Sequence, residues 1–387
     1  MTFDEQITQI KELGLMRELR AVEPAVGAYC TYKGQTMLNL TSNDYLGLAN
    51  NQKLKKAFLQ ANDFTTEAIS FGASSSRLLT GNTNLYDEVE TLLAQSYGAE
   101  AALFFNSGYH ANMGILPALT GKKDLILSDK LCHASLIDGI RLCQADHIRY
   151  RHMDHEQLKT ILTRKRHLYN RIFIVTESVF SMDGDINNLQ QLVDIKNQFD
   201  CMLYVDEAHA VGVSGSKGLG LCEEQNVIDQ IDIIVGTLGK AYASIGAFAI
   251  VSKSLKQLLV NKVRTLIYTT ALPPINMAWT KFIIENMTGF VTEREQLKAL
   301  SDFMVDKLQV KGYMVHNSHI MPVMVGDNKV AVQLAEHLQK KGFLVFPIRP
   351  PTVPVNTARL RISLTADMKL TDLEKLIPFI PDYKNEY

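Results

Sequence analysis

The chain lacks any apolar run approaching the ~18 residues that a membrane-crossing helix requires, so no membrane association is expected. It also lacks a surplus of either charge. Its 40 Lys and Arg stand against 41 Asp and Glu, a balance that gives no electrostatic case for nucleic acid or an anionic bilayer. The five cysteines, Cys30, Cys132, Cys143, Cys201 and Cys222, contain no CxxC pair and do not form an even set. Buried free thiols in a reducing cytosol are therefore expected, not a disulfide framework. No secretory signal opens the sequence, because Phe3 to Arg20 mixes charged residues with apolar ones at helical spacing. Thr2 and Glu5 instead fit a capping box that starts an amphipathic helix. Internal repeats, low-complexity tracts and long linkers are missing too. These absences leave a cytoplasmic globular protein, and 387 residues suit one large domain with a smaller companion.

What is present is an alternation. From about residue 100, short apolar strands (Ala102–Phe105, Leu125–Ser128, Ile172–Thr176, Met202–Val205, Ile233–Gly236, Phe248–Val251) alternate with helix-like stretches. That order predicts an α/β fold with a mostly parallel sheet covered by helices. The character changes after Pro273-Pro274. Asp327 is placed to cap a helix with Val330, Leu334 and Leu338 as its apolar stripe and Gly342 as its stop. Strand-like Phe343–Pro347 and Leu360–Leu364 follow, then a closing helix within Thr371–Ile380. The expected divisions are an N-terminal helix and extended segment over 1–50, a large α/β domain over 51–275, and a small α+β domain over 276–387.

In open α/β sheets, ligands bind beyond the carboxyl ends of the strands. There the sequence delivers Asn106-Ser107-Gly108-Tyr109, Glu177 with Ser181, Asp206-Glu207-Ala208-His209, and Thr237-Leu238-Gly239-Lys240. The third of these spells a helicase DEAH box, but the phosphate loop that such a box needs is missing. Gly121-Lys122-Lys123 has neither the leading glycine nor the hydroxyl residue, and Gly239-Lys240 runs into Ala241. Gly212 to Gly220 follows a loop and makes no dinucleotide fingerprint. His152, Asp154 and His155 have no companion ligands, so no metal is expected. An aspartate and a lysine on successive strand ends suit pyridoxal phosphate (PLP), which needs an amine for its aldehyde and a carboxylate for its pyridine nitrogen. Standing alone, such a pair is an ordinary ion pair.

The neighbouring segments carry a resemblance. Thr41-Ser42-Asn43-Asp44-Tyr45-Leu46-Gly47-Leu48, Gly72-Ala73-Ser74-Ser75-Ser76-Arg77, Ser128–Leu136, Val179-Phe180-Ser181-Met182-Asp183-Gly184, Val205 to His209, Thr237 to Lys240 and Tyr268-Thr269-Thr270-Ala271-Leu272-Pro273-Pro274 resemble the α-oxoamine synthases. These are fold-type I PLP enzymes that condense an amino acid with an acyl thioester and release carbon dioxide. The resemblance runs in order from about residue 20 to the last strand. It implies a homodimer with shared active sites and PLP held as a Schiff base on Lys240, which also removes the substrate α-proton. By the same resemblance Asp206 meets the pyridine nitrogen, His209 the ring hydroxyl, and His133 stacks on the ring and borders the substrate. The alternative for His133 is a helix-capping or packing histidine. Gly108, Tyr109 and Thr237 are implied for the phosphate, Thr269 and Thr270 for the partner subunit's phosphate, and Ser181 for the ring hydroxyl or phosphate.

For the amino-acid carboxylate, Arg361 is expected and Arg359, on the same strand face, remains open. Arg20 is expected to meet the acyl substrate, with Arg17 close by. Ile348-Arg349-Pro350-Pro351-Thr352-Val353-Pro354, with Ala358 to Arg361, resembles the members that use L-alanine and a pimeloyl thioester, carried by coenzyme A or acyl carrier protein. Thr352 is expected to offer its hydroxyl to that acyl chain. A glycine C-acetyltransferase (ketobutyrate ligase) and a serine palmitoyltransferase-like enzyme are the alternatives within the family. A non-catalytic partner subunit would be expected to lack Lys240.

Overall fold

The apolar runs from residue 101 onward become one seven-stranded sheet: β1 (Ala101–Phe105), β2 (Asp124–Asp129), β3 (Asp146–Tyr150), β4 (Arg171–Glu177), β5 (Met202–Asp206), β6 (Ile233–Thr237) and β7 (Ala247–Val251). Their spatial order is β1-β7-β6-β5-β4-β2-β3. Strands β2 to β6 pair in parallel, and β7 alone runs antiparallel to its neighbours β1 and β6. The runs read as continuously apolar because helices cover both faces. Ile172, Phe173, Ile174 and Val175 are all buried, as are Leu203, Tyr204 and Val205. One glycine inside the sheet is there for packing: a Cβ on Gly236 would overlap the ring of Phe248, its partner across the ladder.

This is a computed structural model, which describes residues 1–62 and 69–383. Among the described residues no helix is long and apolar enough to cross a membrane. The chain forms two units. The larger takes Gln52–Phe180 and Ile186–Val291; the smaller takes Met1–Asn51, Ser181–Asp185 and Thr292–Tyr387. The proline pair at 273–274 therefore starts a helix, Pro274–Asn286, inside the larger unit, with Pro274 at its first turn. A change of local character there marks a helix start and not the edge of a unit.

In the smaller unit the helix Phe3–Glu12 begins with the capping box of Thr2 and Glu5. Three N-terminal strands (Glu23–Pro24, Tyr29–Tyr32, Gln35–Asn39) form a sheet with Phe343–Leu344, and Ile320–Gly326, Ala358–Ser363 and Pro347–Ile348 form another. The expected strand Phe343–Pro347 is thus split between two sheets. Leu344 pairs with Asn39, whereas Pro347 pairs with Leu360. Asp327 caps helix Asn328–Lys340 as expected, and Gly342 follows it at φ 88°. The buried face differs, however. It carries Ala331, Ala335 and Leu338, with Leu334 partly buried and Val330 exposed.

Candidate active site

The sheet register brings the polar strand ends of the larger unit to one level. Glu177 pairs with Asp206 and Asp206 with Val235, while β6 ends at Thr237. After β1, Ser107 caps helix α1 (Gly108–Leu119) and accepts the His110 N–H. After β2, His133 caps helix α2 (Ala134–Arg141), its ring accepting the Ser135 N–H. Gly108, Tyr109, His133, Asp206, His209, Thr237 and Lys240 all line one cavity of about 190 Å³, together with Asn112, Ser135, Glu177 and Ala208. A larger cavity of about 350 Å³ opens at the amino end of the same sheet. Its charges are already spent on Arg166–Asp200 and Lys196–Asp232 pairs, so the smaller cavity is the candidate site.

Within it, Lys240 Nζ lies 2.8 Å from His209 Nε2. Asp206 is buried, with Oδ1 accepting the Ala208 N–H at 2.9 Å and Oδ2 accepting the Asn112 amide at 2.7 Å. The His133 N–H donates to Glu177 Oε1 at 2.5 Å. Burial pushes Glu177 well above the usual carboxyl range, and the charge of Asp206 adds to the effect. Burial pulls His133 below its ordinary value, although Asp206 works against this. His133 is therefore both a capping residue and a cavity residue, and the two readings do not compete. Tyr109 is half-exposed and donates its hydroxyl to Asp138, leaving its backbone N–H at the start of α1.

Sequence reasoning missed Asn112, Ser135 and Tyr204, which hold these groups in place. Asn112 lies one turn after Gly108 on α1, and Ser135 lies two residues after the cap, so helical spacing was the available signal. Thr269 and Thr270 lie apart from the cavity lining. The Asn106 amide donates to Thr269 Oγ1 and to the Thr270 carbonyl, and Thr270 bridges to Ser76.

The remaining predicted residues belong to the smaller unit. Ser181 offers its carbonyl to Arg361, which also donates to Asn43, Ser363 and the Tyr45 hydroxyl. Arg359 is paired with Asp183, so its charge is already neutralised, whereas Arg361 donates to these neutral groups. Arg20 lies over the Phe346 ring at 4.6 Å. The Thr352 hydroxyl accepts from Arg17 at 3.0 Å, which leaves its own hydrogen to donate. That contact ties the turn to the N-terminal arm, as does Arg349 on the Gly14 and Met16 carbonyls. His152 pairs with Asp129, and Asp154 caps its helix.

The family model described as aminotransferase class I and II matches residues 35–380. A protein of Neisseria meningitidis serogroup C, provisionally named 8-amino-7-oxononanoate synthase, is 50% identical over 371 residues, covering 95% of this chain and 97% of its own. The solved serine palmitoyltransferase of S. paucimobilis, with PLP and myriocin bound, superposes with a TM-score of 0.89 at 28% identity, over 98% of this chain and 96% of that one. The 8-amino-7-oxononanoate synthase of Francisella tularensis gives 0.76 at 30% identity, over 89% and 96%.

Proposed function

Because this chain belongs to the aminotransferase class I and II family, among its PLP-dependent α-oxoamine synthases, we propose that it condenses L-alanine with a pimeloyl thioester to make 8-amino-7-oxononanoate, a step of biotin synthesis. The observation that carries this reading is the convergence of Lys240, Asp206, His133 and His209 on one cavity, in a chain half identical to relatives so named. The cofactor is PLP, and the donor set fits it: one amine, the buried carboxylate of Asp206, and a capped helix N-terminus suited to a phosphate. Bound there, PLP supplies an aldehyde carbon and an electron-withdrawing pyridinium ring.

The chain's own residues do the rest. Lys240 would hold the cofactor and would serve, through Nζ, as the base for the alanine α-proton. Asp206 keeps the pyridine nitrogen protonated. His209 and Ser181 serve the ring hydroxyl, and His133 covers the ring. Gly108, Tyr109 and Thr237 take the phosphate, and Thr269 and Thr270 that of the partner in a homodimer. Arg361 takes the alanine carboxylate, a role supported by its neutral partners Asn43 and Tyr45, in contrast with Arg359, which meets Asp183. Arg20, which like Arg17 lies close enough to repel Arg349, serves the acyl substrate, and Thr352 shares that side through Arg17. In the overall reaction the alanine Cα gives up its proton and bonds to the thioester carbonyl carbon, the thiol leaves, the alanine carboxylate departs as carbon dioxide, and a proton returns to Cα in its place.

A serine-using reading gains some support from the higher structural score of serine palmitoyltransferase, but its 28% identity stands against 50% for the relative named above. Incubating the pure holoenzyme with alanine, glycine or serine and with pimeloyl, acetyl or palmitoyl thioesters separates the readings by product mass. The expected product is 8-amino-7-oxononanoate, from coenzyme A or acyl-carrier-protein thioesters. Faster condensation of glycine with the acetyl thioester would overturn the substrate assignment. Borohydride should fix the cofactor on the peptide containing Lys240, and labelling of another lysine would overturn the site.

A further inference from the structure

The amide of Asn112 is buried, and chemistry fixes the direction of each of its hydrogen bonds. The Asp206 carboxylate can only accept, so Asn112 must turn Nδ2 toward it, at 2.7 Å. That leaves Oδ1 to accept from the Tyr204 hydroxyl at 2.6 Å. The second Nδ2 hydrogen goes to Ser135 Oγ at 2.9 Å. Because this oxygen is accepting, its own hydrogen is available to His133 Nδ1, 2.7 Å away. The Ser135 backbone N–H is aimed at the same nitrogen at 3.2 Å. Nδ1 therefore accepts twice and cannot carry a proton. In the neutral ring the proton sits on Nε2.

We propose that Asn112 is a positioning residue that couples the carboxylate of Asp206 to the tautomer of His133 through Ser135, so that one amide orients the group beneath the cofactor nitrogen and sets which histidine nitrogen can donate. The functional half of this inference rests on the assignment of both residues to the cofactor ring. Donation into Nδ1 favours the neutral ring, in the same direction as burial. The charged groups around the ring are Asp206, Lys240 and Asp138, with Glu177 on its backbone N–H. The coupling needs α1 and α2 in close approach, and Gly139 permits it: a Cβ there would overlap the Asn112 carbonyl.

Nitrogen-15 spectra of histidine-labelled protein, recorded without cofactor, test the proposal. Wild-type His133 should carry its proton on Nε2 and titrate below the ordinary 6.5. Ser135→Ala should raise that midpoint by about one pH unit, the size expected for one lost hydrogen bond. Asn112→Leu should raise it as well, yet add nothing in the Ser135→Ala background. Tyr204→Phe, which leaves both Nδ2 donors in place, should leave the tautomer unchanged. If Asn112→Leu does not fold, Asn112→Ala is measured in the same way. A wild-type ring protonated on Nδ1, or additive shifts in the double variant, would overturn the coupling. No substrate enters this readout, so a wrong choice of amino acid or thioester would leave it unaffected.

Discussion

Glu207 follows Asp206 directly in the chain, yet the two carboxylates find different partners. Asp206 meets Asn112 and the Ala208 N–H, whereas Glu207 accepts the N–H groups of Leu221 and Cys222 at 3.0 and 3.2 Å. Full burial of Glu207 pushes its pKa up from 4.5 to about 7. Between those values the folded chain holds a proton that the unfolded chain has released. This contribution to stability is therefore complete below 4.5 and is lost as pH rises through about 7. The difference is worth roughly 3 kcal/mol. The lowered pKa of His133 acts in the opposite sense, removing stability as pH falls below its ordinary value. Urea unfolding from about pH 5 to about pH 8 should accordingly show declining stability, with a shallower decline in Glu207→Gln. An unchanged slope in that variant would place the titrating proton elsewhere.

Helices α1 and α2 have a different constraint, which is distance. They approach so closely at Gly139 that no side chain fits between it and the Asn112 backbone. Gly139→Ala should cost ~1–3 kcal/mol in urea unfolding, because a packed backbone has to move, and it should shift the His133 resonances as Asn112 is displaced. Wild-type stability in that variant would mean the two helices have room to separate. The same elements show how far local pattern reaches. The strands β1, β2 and β4 to β7 were each legible as short apolar runs, and the Thr2–Glu5 and Asp327 caps as single-residue signals. Strand β3, Asp-His-Ile-Arg-Tyr over 146–150, was not legible. It is an edge strand with mostly unburied side chains, so neither an apolar run nor a clean alternation marks it. Helix Val291–Val310 was missed as well.

For the whole molecule, the proposed homodimer has a physical counterpart on the larger unit. Phe71, Leu79 and Tyr268 are each more than 70% exposed, close in sequence to the segments that the Ser76–Thr270 bridge joins. Apolar exposure of this kind commonly marks an interface. Sedimentation should give twice the chain mass, and Leu79→Asp should weaken the dimer; full activity from a monomer would remove Thr269 and Thr270 from the partner's phosphate site. The sequence alone determined the α/β order, the placement of Lys240, Asp206, His209 and Thr237 just beyond strand ends, and the family resemblance, because strand periodicity and motif order are local properties of the chain. Only the tertiary structure decided that Phe343 and Pro347 pair in different sheets, that Arg359 is neutralised by Asp183, and that Thr352 meets Arg17. It also decided that Asn112, Ser135 and Tyr204 link α1, α2 and β5. The physical reason is that a hydrogen bond or ion pair between residues far apart in the chain depends on which elements pack together, and no periodicity within either segment records its partner.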